Sequence, residues 1–81
     1  MRVDKFLKVS RIIKRRTVAQ EFCSAQKVKI NGKIAKAGDR VQVGDLLTIQ
    51  FGMRIVEFRV VELRDSSTKD NAAAMYEEVI Q

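Results

Sequence analysis

The pair Asn31-Gly32 sits where the hydrophobic period of the chain changes, and it constrains the fold more than any other feature. Asn and Gly enter the positive-φ region at little cost, which a two-residue type I′ hairpin turn requires. Around the pair, Lys27 to Ile34 alternates, with Val28 and Ile30 to one side and Lys27 and Lys29 to the other. The spacing therefore predicts a tight β-turn flanked by short strands.

Upstream of that point the period is helical. Asp4 is placed to cap a helix over about Lys5 to Lys14, its carboxylate meeting the free amides of the first turn. Phe6, Val9 and Ile13 share one face with Leu7 and Ile12 at its edges, while Lys5, Lys8 and Arg11 gather opposite, joined by Arg15 if the turn continues. Thr17 followed by Gln20 is a capping-box pattern, and Val18, Phe22 and Ala25 form an apolar stripe beside Ala19 and Cys23. A second short helix follows, making a helix–turn–helix-like pair.

Downstream the alternation persists. Val41 and Val43, then Leu47, Ile49 and Phe51, read as two strands around Gly44-Asp45. After Gly52, Ile55 to Leu63 alternates Val56, Phe58 and Val60 with Glu57, Arg59 and Val61. Asp65 to Asn71 is polar and aperiodic, a loop, and Ala72 to Ile80 has good helix formers with Asp70 or Asn71 as cap. The expected fold is α+β, with two short N-terminal helices packed on a small antiparallel sheet and a short C-terminal helix.

Charge is segregated along this framework. Met1 to Lys36 holds eleven basic residues against two acidic, and Ala37 to Gln81 holds five against eight, for a net +6 over 81 residues. Like charges repel in a compact state, so folding gives no reason for such segregation, whereas a polyanionic partner does. Arg2, Lys5, Lys8, Arg11, Lys14, Arg15 and Arg16 have almost no intervening acids and suit phosphate contacts. Arg40, Arg54, Arg59, Arg64 and Lys69 are interspersed with acids and read as a solvating surface. Asp4, the lone acid of the basic face, either caps the helix while pairing with a neighbouring base, or orients Arg2 or meets a nucleotide hydroxyl.

Catalytic chemistry is poorly supplied. Histidine is absent, and the single cysteine excludes both an internal disulfide and a zinc site. Cys23 falls on an apolar helix side and reads as a small core residue. Glu77 and Glu78 are adjacent and point apart on a helix, and no glycine-rich phosphate loop occurs. No cofactor or metal is expected. Phe6 and Phe22 lie on core stripes and read as packing. No apolar run approaches a membrane span, and charges at Arg2, Asp4, Lys5 and Lys8 interrupt any leader-like stretch. A cytoplasmic protein without membrane contact is expected.

Several motifs occur in a recognisable order. Met-Arg-Val-Asp-Lys-Phe-Leu at 1–7, Ser-Arg at 10–11, Lys-Arg-Arg-Thr at 14–17, Val-Lys-Ile-Asn-Gly-Lys at 28–33 and Val-Gln-Val-Gly-Asp at 41–45 together resemble the RNA-binding domain named after small-subunit ribosomal protein S-four. Val3 stands where that family commonly has Leu, and no proline follows Lys36 where relatives often carry one. The resemblance covers about the first fifty residues. It implies an S-four-type domain over 1–63, with 64–81 a loop and short helix packed on it.

Within the family, the short length, Phe-Gly at 51–52 and Ala-Ala-Ala-Met-Tyr at 72–76 look most like the free-standing ribosome-associated quality control P-site factors (the RqcP, or YabO, group). These are related to the ribosome-associated heat-shock protein, which carries a longer basic C-terminal extension. The resemblance implies a non-enzymatic factor that binds large-subunit rRNA and obstructed peptidyl-tRNA at the P-site. An RqcH-like partner on the same particle would then add C-terminal alanine tails, with the factor itself a monomer off the ribosome. Carried over by position, the RNA-binding residues are Arg2, Asp4, Lys5, Lys8, Arg11, Lys14, Arg15, Arg16, Thr17, Lys27, Lys29, Asn31 and Lys33. Alternatives are a heat-shock-type recycling factor for large subunits carrying nascent chains, a detached RNA-targeting module of an RNA-modifying enzyme, and a protein-interaction module using the acidic stretch Glu62 to Gln81.

Overall fold

A computed structural model of the chain describes residues 1–79. Two helices, α1 (Val3–Val9) and α2 (Arg16–Ser24), precede β1 (Val28–Ile30), β2 (Lys33–Ile34), β3 (Leu46–Phe51) and β4 (Arg54–Val60). A one-turn helix α3 (Lys69–Ala72), a 3-10 turn (Ala73–Met75) and β5 (Tyr76–Val79) follow. The strands form one antiparallel sheet in the order β2-β1-β3-β4-β5. This is the expected α+β arrangement.

The inward positions of the strands meet the apolar sides of α1 and α2. Val28, Leu47, Ile49 and Val60 from the sheet join Val3, Phe6, Leu7 and Ala19 from the helices in one core. Full burial of a side chain the size of Phe6 or Leu7 contributes about 2–3 kcal/mol. The small residues Ala19 and Cys23 are the buried ones of α2, whereas Val18 and Phe22 are only half-buried and Ala25 is exposed. Phe22 packs tilted on Phe51 at 5.6 Å. Cys23 occupies the core as expected, and burial, aided by Asp4 and Asp39, pushes its thiol up to about 11.

The helix ends differ from the expected ones. α1 begins at Val3, with Arg2 in the N-cap position, so Asp4 lies within the first turn. It ends at Val9 because Arg11 adopts a left-handed backbone with φ 63°. The Arg11 amide donates to the Lys8 carbonyl at 3.1 Å and that of Ile13 to Leu7 at 3.1 Å. Glycine normally marks such a terminus, so arginine there conceals it. Nor does Thr17 cap α2: Arg15 holds that position without a side-chain bond.

The Asn31-Gly32 turn is as expected, with φ 51° and 84° and Ile30 paired to Lys33 across it. The Asn31 side chain anchors the turn to the next segment, accepting from the Leu46 amide at 2.9 Å and donating to Asp45 at 3.1 Å. Asn31→Gly keeps the dihedral but loses both bonds, at about 1–2 kcal/mol. Asn31→Ala adds the left-handed penalty of about 1 kcal/mol. Urea denaturation of the two variants should rank them in that order.

Two further expectations give way to tertiary pairing. Val41 is buried but lies in no strand, and Val43 is exposed. Tyr76–Val79 forms an edge strand on β4 rather than part of a helix from Ala72 to Ile80, whose last residue lies outside the described residues. Met75 is fully buried and Tyr76 meets Phe58 edge-on at 5.2 Å, so burial and an open strand edge outweigh the helix preference of the alanines. The helix cap is Thr68, in a reciprocal capping box with Asn71.

Candidate nucleic-acid interface

The basic face is organised around a buried acid. The Asp4 side chain has no exposed surface, yet every one of its contacts is a donor. Oδ2 accepts from Arg2 Nη2 at 3.2 Å and Gln20 Nε2 at 2.9 Å, and forms an ion pair with Arg16 Nε at 3.2 Å. Oδ1 accepts from Arg16 Nη2 at 3.3 Å and from the Lys5 amide at 2.8 Å. Asp4 is thus beneath the surface, where it orients Arg2 and Arg16 and has no free face for a nucleotide hydroxyl. The two arginine side chains remain 48% and 43% exposed, so each guanidinium turns one edge to the carboxylate and presents the rest to solvent.

Burial alone pushes the Asp4 carboxyl up, but hydrogen bonds from Gln20, Arg16 and the Lys5 amide, with the Arg16 charge, outweigh it and hold the group below 3.8. A carboxyl depressed by folding stabilises the fold above its unfolded value, and that contribution is lost as pH falls through the lower folded value. Asp4 stabilisation is therefore complete above about pH 5 and declines below 3.8. Urea midpoints should fall more between about pH 5 and about pH 3 in the native chain than in Asp4→Asn, which has no carboxyl to protonate.

Gln20 belongs to this cluster, although its spacing from Thr17 points to a capping box in its own helix. Its partner lies sixteen residues away, and only the α1–α2 crossing brings them together. Arg40 and Arg64 belong to the surface read as solvating, and Arg64 Nε pairs with Glu62. They line a recess of about 490 Å³ with Arg2 and Lys5, and Arg40 forms a β-bridge with Arg2. Lys5 itself reaches Asp65 at 3.3 Å.

The remaining candidates are spread around this centre. Lys8, Arg11, Lys14, Arg15 and Thr17 are exposed on α1, α2 and the turn between them. Lys33 flanks the hairpin turn, and Lys27 is half-buried with Nζ 5.5 Å from the Phe22 ring centroid. Lys29 alternates to the sheet face opposite buried Val28, away from the arginine pair. Asn31 has both ends of its side chain engaged by Asp45 and Leu46. The loop after Lys36 is closed by Asp39, which accepts from the Lys36 amide at 2.9 Å.

The sequence pattern of the S4 domain matches residues 1–47. This chain belongs to the S4 domain family. The matched S4 stretch contains the whole Asp4 cluster, whereas Arg64, Lys69 and Tyr76 lie beyond it. Over 76 residues the chain is 53% identical to the RQC P-site tRNA stabilizing factor of Bacillus subtilis (strain 168), covering 94% of this chain and 88% of that one. It is 49% identical over 77 residues to the protein of that name from Streptococcus pneumoniae (strain ATCC BAA-255 / R6), covering 95% and 88%. In structure it resembles Vibrio cholerae heat shock protein 15, solved as a trimer, with a TM-score of 0.90 at 28% identity over 98% of this chain and 81% of that one. No helix among the described residues is long and apolar enough to cross a membrane.

Proposed function

We propose that this chain is a non-enzymatic RNA-binding factor of ribosome-associated quality control in the cytoplasm. It binds large-subunit rRNA and an obstructed peptidyl-tRNA at the P-site, and supports alanine tailing of the stalled chain by an RqcH-like factor on the same particle. Away from the ribosome it is a monomer. Residues 1–63 supply the RNA-binding domain, and 64–81 complete it. The observation that supports this reading is the arginine pair held by Asp4 with each side chain nearly half exposed, an arrangement suited to phosphate. The names of the relatives, which span nearly the whole chain, support the quality-control role.

The likeness to heat shock protein 15 favours a second reading, a recycling factor for large subunits carrying nascent chains. Affinity for large subunits, measured across a salt series with and without a peptidyl-tRNA in place, separates the two. Engagement of about four to six phosphates gives a log–log slope of about −3 to −5. The P-site reading expects tighter binding and a steeper slope when peptidyl-tRNA is present. A slope indifferent to the tRNA favours the second reading, and a flat one contradicts both.

A further inference from the structure

Beyond the arginine pair, the C-terminal segment builds a second feature against α1. A half-open cleft of about 660 Å³ lies between the end of α1 and residues 65–76. Four cations, Lys8, Arg11, Lys14 and Lys69, line it against the single carboxylate of Asp65. Between them, exposed Ala73 and half-buried Tyr76 provide apolar surface, with Val9 and Ala72 buried beneath. Its two walls are joined: Ser67 Oγ donates to the Val9 carbonyl, and Arg11 Nη2 reaches the Ser67 carbonyl at 3.4 Å. That bond is long and uses one donor of five, so the guanidinium keeps the others for a ligand.

Resting on the RNA-binding reading, we propose that this cleft receives one unpaired nucleotide of the bound RNA. Its phosphate meets Lys8, Arg11 and Lys14, and its base lies on Ala73 and Tyr76. The volume falls in the range of small-molecule sites, and cations around apolar surface match the two parts of a nucleotide. Duplex RNA does not fit, because its bases are stacked away inside the helix, and a concave site takes a base only once it is unstacked. The exposed α1–α2 face, by contrast, suits regularly spaced phosphates. More than half of the cleft lining lies outside residues 1–47, so the segment after β4 acts in recognition as well as in closing the sheet.

The test uses the full chain with two probes, a short oligouridylate and an A-form RNA duplex with the same number of phosphates. The oligouridylate is expected to shift the backbone amide resonances of Ser66, Ser67, Lys69, Ala73 and Tyr76, and the duplex to shift those of α1 and α2 instead. Ala73→Glu places an acid in the cleft from an exposed position, and is expected to weaken oligouridylate binding about tenfold while duplex binding changes less than about twofold. Lys69→Glu, also exposed, should act in the same direction. Oligouridylate shifts confined to residues 1–36, or equal losses on both probes, would overturn the proposal. So would cleft shifts induced by a polyglutamate peptide and absent with oligouridylate, which would make the site a protein contact. Binding of neither RNA removes the RNA reading itself, an outcome distinct from loss of the cleft alone.

Discussion

Asp4→Ala is expected to cost about 2–3 kcal/mol of stability and to weaken RNA binding at least as much as removal of either arginine. Breaking a buried ion pair from one side commonly costs about 3–5 kcal/mol, because the orphaned charge stays buried. Here the partners Arg2 and Arg16 are nearly half exposed and rehydrate, which lowers the cost. Gln20 and the Lys5 amide gain less from water, since the carboxylate they bond is itself sealed from solvent. Urea denaturation should show a lower midpoint with unchanged slope, the mark of lost stability rather than altered compactness. The binding loss has a separate origin: without the carboxylate, two long side chains regain rotamer freedom that the native fold has already removed.

The largest effect on binding is expected from Arg2→Ala combined with Arg16→Ala. Charge-assisted hydrogen bonds are worth about 1.5–3 kcal/mol each, so losing both arginines should reduce affinity about a hundredfold or more. The salt slope should become shallower by about 1.5–2 units, as expected for two phosphate contacts. Co-sedimentation with large subunits reads the loss directly. The double variant leaves Asp4 with only Gln20 and the Lys5 amide, so circular dichroism must accompany the measurement. Each single variant keeps one arginine on the carboxylate and should fold normally. Arg16→Lys is informative because it preserves charge but not the two-nitrogen grip on Asp4. Co-sedimentation unchanged in the folded double variant would remove these residues from the interface.

What the sequence made legible was local. The Asn31-Gly32 turn follows from the dihedrals those two residues favour, and the core positions of α1 follow from its period. The basic bias of the first half follows from counting. The Asp4 cluster is different, since it depends on a helix crossing that joins residues 2, 4, 16 and 20, and Gln20 carried a competing local reading as a capping residue. The end of α1 was hidden because Arg11 stands where glycine would announce a left-handed residue. Tyr76–Val79 was hidden because its strand partner, β4, is separated from it by the loop and α3, while the preceding alanines favour helix. That Arg40 and Arg64 share a recess with Arg2 and Lys5 is a matter of the fold, since their acidic neighbours in sequence say nothing of it. Except at Arg11, a contact distant in sequence outweighed a local preference.

The central claim is that this chain meets ribosomal RNA through the arginine pair poised on Asp4. Cryo-electron microscopy of large-subunit particles recovered with the tagged protein tests it most directly. Arg2 and Arg16 are expected against rRNA phosphates, with a peptidyl-tRNA in the same particle. A particle in which that face looks into solvent, and the acidic edge formed by Glu77 and Glu78 carries the contact, would contradict it.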